Sequence, residues 1–388
     1  MPRSLKLLLL LLPLAAALFI FVDTPLHEPS GEELSGVVVP EPLPDWSFAE
    51  FWNGQLQPKL EGWFEQQLTM KPAMVRTDNT INLMAFGEIS AHTGIPIIVG
   101  NEDTLFEMNY VNNANAVSDI KGDPPPKSAY SVEESSRLMG QASRAFRALG
   151  IDFMLVLYPS KGWLWHDRLP RRYLLPGGMK RAQAGYQYLL NSLQSEGVPV
   201  IDGVDEFTKL AQTRPDLPLY ARGGTHWTHP AACQVAARVV EHLSRSGNAR
   251  LRCELGPVSP AEEVDRDLAD LINVWDNERF IDSLPASKAS LSQRLHGGRR
   301  AALFIGTSFS HQLVYTLKNA RVIGNVKQLF YYRHKDSPHM NWNSLLRGRK
   351  LVIFEQWQWS FLTANLSEFL DDLQLYDPRF AAAMAAAK

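Results

Sequence analysis

At 388 residues, with 45% hydrophobic and 21% charged residues, the chain can bury one large core or two modest ones. Its 39 Lys and Arg against 41 Asp and Glu give a formal net charge of −2, so it lacks the basic excess of a nucleic-acid partner. The short basic clusters Arg171–Arg172 and Arg299–Arg300 read as solvated surface.

The chain begins with Arg3 and Lys6 ahead of an uncharged apolar run from Leu7 to Val22, interrupted by Pro13 and closed by Asp23. A basic n-region before an apolar segment places the N-terminus inside and the following chain across the membrane. The run is shorter than the ~20 residues a full span prefers. Ala15-Ala16-Ala17 resembles a cleavage site, yet the apolar character continues beyond it to Val22. Residues 1–22 therefore read as an uncleaved signal-anchor rather than a cleaved signal peptide. Residues 23–45, with Pro25, Pro29, Pro40, Pro42 and Pro44, read as a tether. Residues 46–388 form the globular part.

Two helical patterns follow, Phe48–Leu68 and Ala73–Phe86, with Trp52, Leu56, Leu60 and Phe64 as a core stripe at helical spacing. Ile95–Met108 reads as a hairpin turning at "GNED", and Asn109–Tyr130, with Pro124–Pro126, as a loop. Strand and helix patterns then alternate: helix Val132–Leu149, strand Phe153–Tyr158, helix Lys180–Glu196, strand Val198–Ile201 and helix Pro230–Ser244. They continue with strand Ala302–Ile305, helix Ser308–Leu317, and strands Arg321–Ile323 and Leu351–Glu355. Short apolar strands alternating with helices predict a mostly parallel sheet covered on both faces, an α/β fold in three layers. Functional groups collect at the carboxyl ends of such strands, where Tyr158, Gly306 and Glu355 fall.

Export makes Cys233 and Cys253 eligible to pair, although Cys233 lies in an apolar helical pattern that suits a buried free thiol equally. Two cysteines do not make a four-ligand zinc site, and neither a metal nor a cofactor is expected.

Two stretches carry chemistry. In "LFIGTSFSHQL" (303–313) a buried strand runs into Gly306, which permits a tight turn, and Ser308 is expected at the start of a helix. There its backbone N–H would help to hold an oxyanion, although serine is also a favoured N-cap. In "GGTHWTHPAA" (223–232) His226 lies on a loop just before a helix, the natural base for Ser308, with Trp227 beside it as a wall that excludes water.

"THWT" before a helix, "YPSK" after a strand, "GTSFS" after a later strand and "DLADLIN" between them resemble the alginate O-acetyltransferase family. These AlgJ- and AlgX-type proteins are SGNH-hydrolase-like and periplasmic. "IIVGNEDTLFE" (97–107) is similar to the family's N-terminal hairpin, and the anchor and length are similar to the AlgJ branch. The resemblance implies a Ser-His-Asp triad that moves acetyl groups onto hydroxyls of an exopolysaccharide acceptor, with Ser308 and His226 in the first two roles. It also implies a multi-spanning membrane O-acyltransferase as acetyl supplier and other polysaccharide-biosynthesis subunits as partners. The family's Asp two residues before the His is replaced by Gly224. Asp216, Asp265, Asp267 and Glu355 are the candidate acids to stand in, Glu355 being attractive because it ends a strand. Lys161 of "YPSK" is expected to position an anionic substrate group, and Arg222 to bind a carboxylate or sulfate-like group. Trp227, Tyr332, Trp357 and Trp359 are expected to stack on sugar rings. Two alternatives share these residues: a catalytically impaired polysaccharide-binding or scaffold subunit, which Gly224 favours, and a carbohydrate acetylesterase.

Overall fold

The computed structural model describes residues 33–36, 42–67, 70–90, 96–114, 131–244, 248–330, 344–358 and 364–387. The expected signal-anchor at 1–22, most of the tether, the Pro124–Pro126 segment, Tyr332 and Trp359 lie outside them. No helix among the described residues is long and apolar enough to cross a membrane.

The chain divides into two compact units, one running up to Ile98 and including Ala269–Glu278, the other formed by Val99–Leu268 and Arg279–Lys388. In the first unit, the pattern expected as one helix over Phe48–Leu68 is two, α1 (Phe48–Trp52) and α2 (Leu56–Gln67). Gly54, at φ +72°, turns the chain between them. The break also dissolves the expected core stripe, because Leu56 is buried while Trp52 is 78% exposed. Helix α3 (Lys71–Phe86) follows, and the buried Asn79 amide donates to the Ile272 carbonyl at 2.7 Å.

Strands β1 (Ile97–Val99) and β2 (Leu105–Glu107) form the expected hairpin. Its turn closes through Gly100 N–H donating to Thr104 O at 2.7 Å, with Glu102 and Asp103 at positive φ. Helix α4 (Met108–Ala114) occupies part of the expected loop, because Val111 gives it a buried anchor.

The larger unit continues with α5 (Val132–Ala148), β3 (Asp152–Tyr158), α6 (Lys161–Leu164), α7 (Gly178–Ser195), β4 (Val200–Asp202), α8 (Gly203–Thr213) and α9 (His229–Leu243). After it come β5 (Leu251–Pro260), α10 (Asp267–Leu271), β6 (Ser283–Leu291), β7 (Arg300–Gly306), α11 (Ser310–Asn319), β8 (Ile323–Phe330), β9 (Leu351–Trp357), α12 (Ala364–Tyr376) and α13 (Pro378–Ala386). Five strands pair in parallel in the order β4-β3-β9-β7-β8.

The sheet's side chains alternate between two cores, as a strand's period of two requires. Met154, Val156, Phe304 and Ile353 face α9 and α11, whereas Phe153, Leu155, Leu303 and Phe354 face α5, α7, α12 and α13. This is the three-layer α/β/α arrangement that the SGNH-hydrolase-like fold requires.

An antiparallel pair, β5–β6, adds a small second sheet. Residues 254–260 of β5 are exposed and include Gly256, Pro257 and Pro260, which hid the strand from a search for apolar alternation. Cys233 on α9 and Cys253 on β5 form a disulfide, with Cα atoms 5.9 Å apart. It closes a loop between residues 20 apart, so by chain entropy it stabilises the fold by ~3 kcal/mol. Replacing both cysteines with serine should lower the unfolding free energy in urea by about 2–4 kcal/mol. An unchanged midpoint would show that the bond contributes nothing to stability.

Candidate active site

The carboxyl end of β7 builds the first part of the site. A Cβ on Gly306 would collide with the Glu355 side chain of neighbouring β9, so only glycine lets the two strands lie this close. Glu355 is fully buried and accepts from Thr307 N–H at 2.8 Å. The Thr307 hydroxyl stands 2.9 Å from Tyr158 Oη and 3.2 Å from both Glu355 oxygens. The turn that follows is thus fixed by side chains from two strands, β3 and β9.

Helix α11 begins two residues later than expected, at Ser310, because Thr307 O and Ser308 O first accept from Ser310 N–H and His311 N–H. The N-cap position is Phe309. The Ser308 hydroxyl therefore caps no helix, and it stands 2.7 Å from His226 Nε2.

His226 lies between Tyr220, which bridges to Trp227, and α9, whose N-terminus Thr228 caps. Its ring packs 4.6 Å from that of Phe309. Its Nδ1 stands 2.8 Å from Asp267 Oδ2, and Asp267 Oδ1 accepts from Thr225 N–H at 2.7 Å and Leu268 N–H at 2.8 Å. Asp267 is the first residue of α10 and of the "DLADLIN" motif. The three side chains form one hydrogen-bonded line, carboxylate to imidazole to hydroxyl.

The other acids take different places. Glu355 holds Thr307, and burial pushes its carboxyl up to about 7. Asp216 lies on the surface, paired with Arg214 at 2.8 Å. Asp265 is pushed up to about 7 by burial, and its backbone crosses directly over Gly224. A Cβ at Gly224 would stand 2.7 Å from the Asp265 carbonyl and 2.9 Å from that of Val264. The glycine is therefore needed for this crossing of two backbones, and an aspartate does not fit there. Glu107 on β2, which the sequence reading passed over, is a further carboxylate beside His226 and Asp267, raised by its burial.

Three of the residues expected to contact substrate have partners within the protein. Lys161 is buried, and its ammonium donates to Arg222 O and Gly224 O, both at 2.7 Å, so it pins the His226 loop instead of meeting substrate. Burial also holds its pKa well below the ordinary lysine value. Arg222 is engaged by Asp282, which accepts from its backbone N–H and from its Nε, both at 2.6 Å. Trp227 is fully buried and donates to Phe309 O at 2.9 Å, so it braces the residue after Ser308 and offers no face to a sugar. Trp357 is half-buried with its ring edge-on to Tyr110. Among the described residues no group of three or more His, Cys, Asp and Glu side chains is placed to hold a metal ion.

Residues 121–321, just over half of the chain, match the family described as SGNH hydrolase-like domain, acetyltransferase AlgX. The chain belongs to this family. Its fold is similar to that of AlgX from Pseudomonas aeruginosa (15% identity, TM-score 0.44), covering 69% of this chain. The chain spans 63% of that AlgX, under two thirds of its length. It is similar also to the O-acetyltransferase domain of Pseudomonas putida AlgJ (15% identity, TM-score 0.46, 75% of this chain and 99% of that one). Bacillus cereus PatB1 is a further structural neighbour (11% identity, TM-score 0.42, 69% of this chain and 97% of that one). The chain matches no curated protein.

In this member of the AlgX family, Asp267→Asn should lower turnover of a chromogenic acetyl ester by on the order of 10⁴ in kcat, with the fold retained. Gly224→Asp should bring no gain in kcat/KM and should lower the melting temperature, because its Cβ enters the Asp265 backbone. A gain above about tenfold would refute this geometry.

Glu355 generates a pH prediction. Its folded value, about 7, lies above the ordinary 4.5, so the unfolded chain releases this proton first as pH rises. The stability it contributes is full below 4.5 and is lost as pH climbs through about 7, on the order of 3 kcal/mol. Glu355→Gln should flatten the fall in stability between those pH values, read by urea melts at pH 5 and pH 8. An unchanged difference between the two melts would show that Glu355 is not the titrating group.

Proposed function

We propose that the chain is a periplasmic O-acetyltransferase that adds acetyl groups to hydroxyls of an exopolysaccharide, alginate-like in type. The observation that carries this reading is the line from Asp267 through His226 to Ser308, with steps of 2.8 and 2.7 Å. Asp267 keeps Nδ1 protonated, so Nε2 is the basic nitrogen and takes the proton of Ser308 as Oγ attacks an acetyl donor. The tetrahedral intermediate carries an oxyanion, and the Ser308 N–H, which makes no hydrogen bond among the described residues, is placed to donate to it. Collapse leaves acetyl on Ser308 and returns the proton to the departing group. A sugar hydroxyl then gives its proton to His226, attacks the acetyl carbonyl and leaves as the ester, restoring Ser308.

Residues 1–22 serve in this proposal as a signal-anchor that holds the domain at the outer face of the inner membrane. A multi-spanning membrane O-acyltransferase supplies acetyl, and other polysaccharide-biosynthesis subunits deliver the polymer. A scaffold role rested on the missing aspartate at 224, and Asp267 removes that reason for it. If water replaces the sugar hydroxyl, the same residues act as an acetylesterase.

Ser308→Ala should lower both acetyl-ester hydrolysis and acetyl transfer to an oligosaccharide, followed by mass spectrometry, by more than about 10⁴-fold. The melting temperature should change little, because the hydroxyl caps no helix. Wild-type turnover in this variant would remove Ser308 as the nucleophile. Hydrolysis without any transfer by the wild-type protein would favour the esterase.

A further inference from the structure

The amino ends of the parallel strands, opposite Ser308, carry a feature the chemistry does not use. Three cavities of about 300, 490 and 580 Å³ adjoin there. The first two share Asp152, His296 and Arg300, and the last two share Gln293, Arg294 and Leu295, so together they form one groove. Its lining includes Arg147, Arg294, Arg299, Arg300, Arg321 and Lys350 against a single acid, Asp152, which pairs with Arg300. The other five cations are exposed and make no ion pair among the described residues.

A chain of net charge −2 has ample acid to neutralise such a cluster, yet Asp152 is the one acid that lines this groove among the described residues. Like charges this close repel one another, and an anionic ligand offsets that cost. By contrast, the 910 Å³ cavity near the carboxyl ends carries Glu262, Glu263 and Asp265 against Lys318. Between its cations the basic groove presents Asn248, Ser290, Ser292, Gln293 and Asn319, groups that suit hydroxyls. It contains none of the exposed large hydrophobic residues that a protein hot spot or a membrane anchor needs.

We propose that this groove binds a polyanionic glycan chain, a polyuronate in chemical class, through its carboxylates. Guanidinium groups match carboxylates in bidentate geometry, and five of the six cations are arginines. The choice of a glycan rests on the function proposed above. From Arg300 to Gly306 the strand rises about 20 Å, so a polymer held in the groove keeps other segments at high local concentration near Ser308.

The test is fluorescence anisotropy of a labelled oligouronate with full-length Ser308→Ala protein, which reads binding without turnover. Affinity should fall steeply between low and high salt, and a neutral cello-oligosaccharide of equal length should not compete. The double reversals Arg294→Glu/Arg299→Glu and Arg147→Glu/Lys350→Glu should each weaken binding by at least about tenfold, with unchanged melting temperature. Salt-insensitive binding, or full binding in both well-folded reversals, overturns the proposal. Binding of polyglutamate or of phosphatidylserine vesicles in place of the oligouronate overturns it in favour of an acidic protein or a membrane. Loss of acetyl-ester turnover in Ser308→Ala is read separately, so the groove and the catalytic reading fail independently.

Discussion

The site depends on the Asp267 carboxylate. One of its oxygens receives the Thr225 and Leu268 backbone N–H groups, and the other faces His226 Nδ1. The first pair ties the start of α10 to the loop that carries His226, and the second fixes the imidazole. A carboxylate that accepts backbone N–H bonds is held in place and orients what it touches. The same side chain thus sets both the position of the loop and the tautomer of the ring, which makes it a more consequential residue than its place in a five-residue helix suggests.

Everything around that contact restricts the loop further. Lys161, just beyond β3, donates to the carbonyls on either side of Gly223, while Leu105 N–H of β2 donates to Arg222 O at 2.9 Å. A buried ammonium is costly unless its hydrogen bonds are met, so Lys161 resists any movement that would withdraw those two carbonyls. On the opposite side Trp227 holds Phe309, and Glu355 holds Thr307, so Ser308 is bracketed by residues fixed before and after it. The geometry around Ser308 and His226 is set here by buried polar groups.

Much of the large unit was legible from the chain. Strands β3, β7 and β9 are short apolar runs, and their period of two and burial on both faces follow from composition alone. Ser308 and His226 were legible as a pair, a hydroxyl after a strand and an imidazole before a helix, through the resemblance carried by "GTSFS" and "THWT". The acid was legible only as one of four candidates, Asp216, Asp265, Asp267 and Glu355, because the contact joins residues 41 apart and Asp267 looks like any acid at a helix start. Gly224 read as a lost carboxylate, whereas its meaning is steric and requires knowing that residues 264 and 265 pass over it. The engagement of Lys161, Arg222 and Trp227 within the protein was not legible for one shared reason: their chemistry suits sugar or carboxylate, but burial and partners are properties of the fold. Exposed β5 and the early break at Gly54 were hidden because neither follows from hydrophobic periodicity.

The pattern of charge gives the sheet two unlike ends. Beyond the carboxyl ends stand Glu107, Asp265 and Asp267 around one histidine, and Lys161 and Arg222 on the same side are held by carbonyls and by Asp282. Among the described residues a polyanion entering there meets these carboxylates, which argues against strong ground-state binding of its charged groups at the reacting centre. Such an arrangement suits turnover, because binding a substrate and its transition state equally tightly lowers KM without raising kcat. Affinity for a charged polymer is then better placed away from the chemistry, and the arginines at the amino ends of β7 and β8 lie on that far side. The parallel sheet makes this separation available without further domains, since each strand that ends at the site begins about 20 Å away from it.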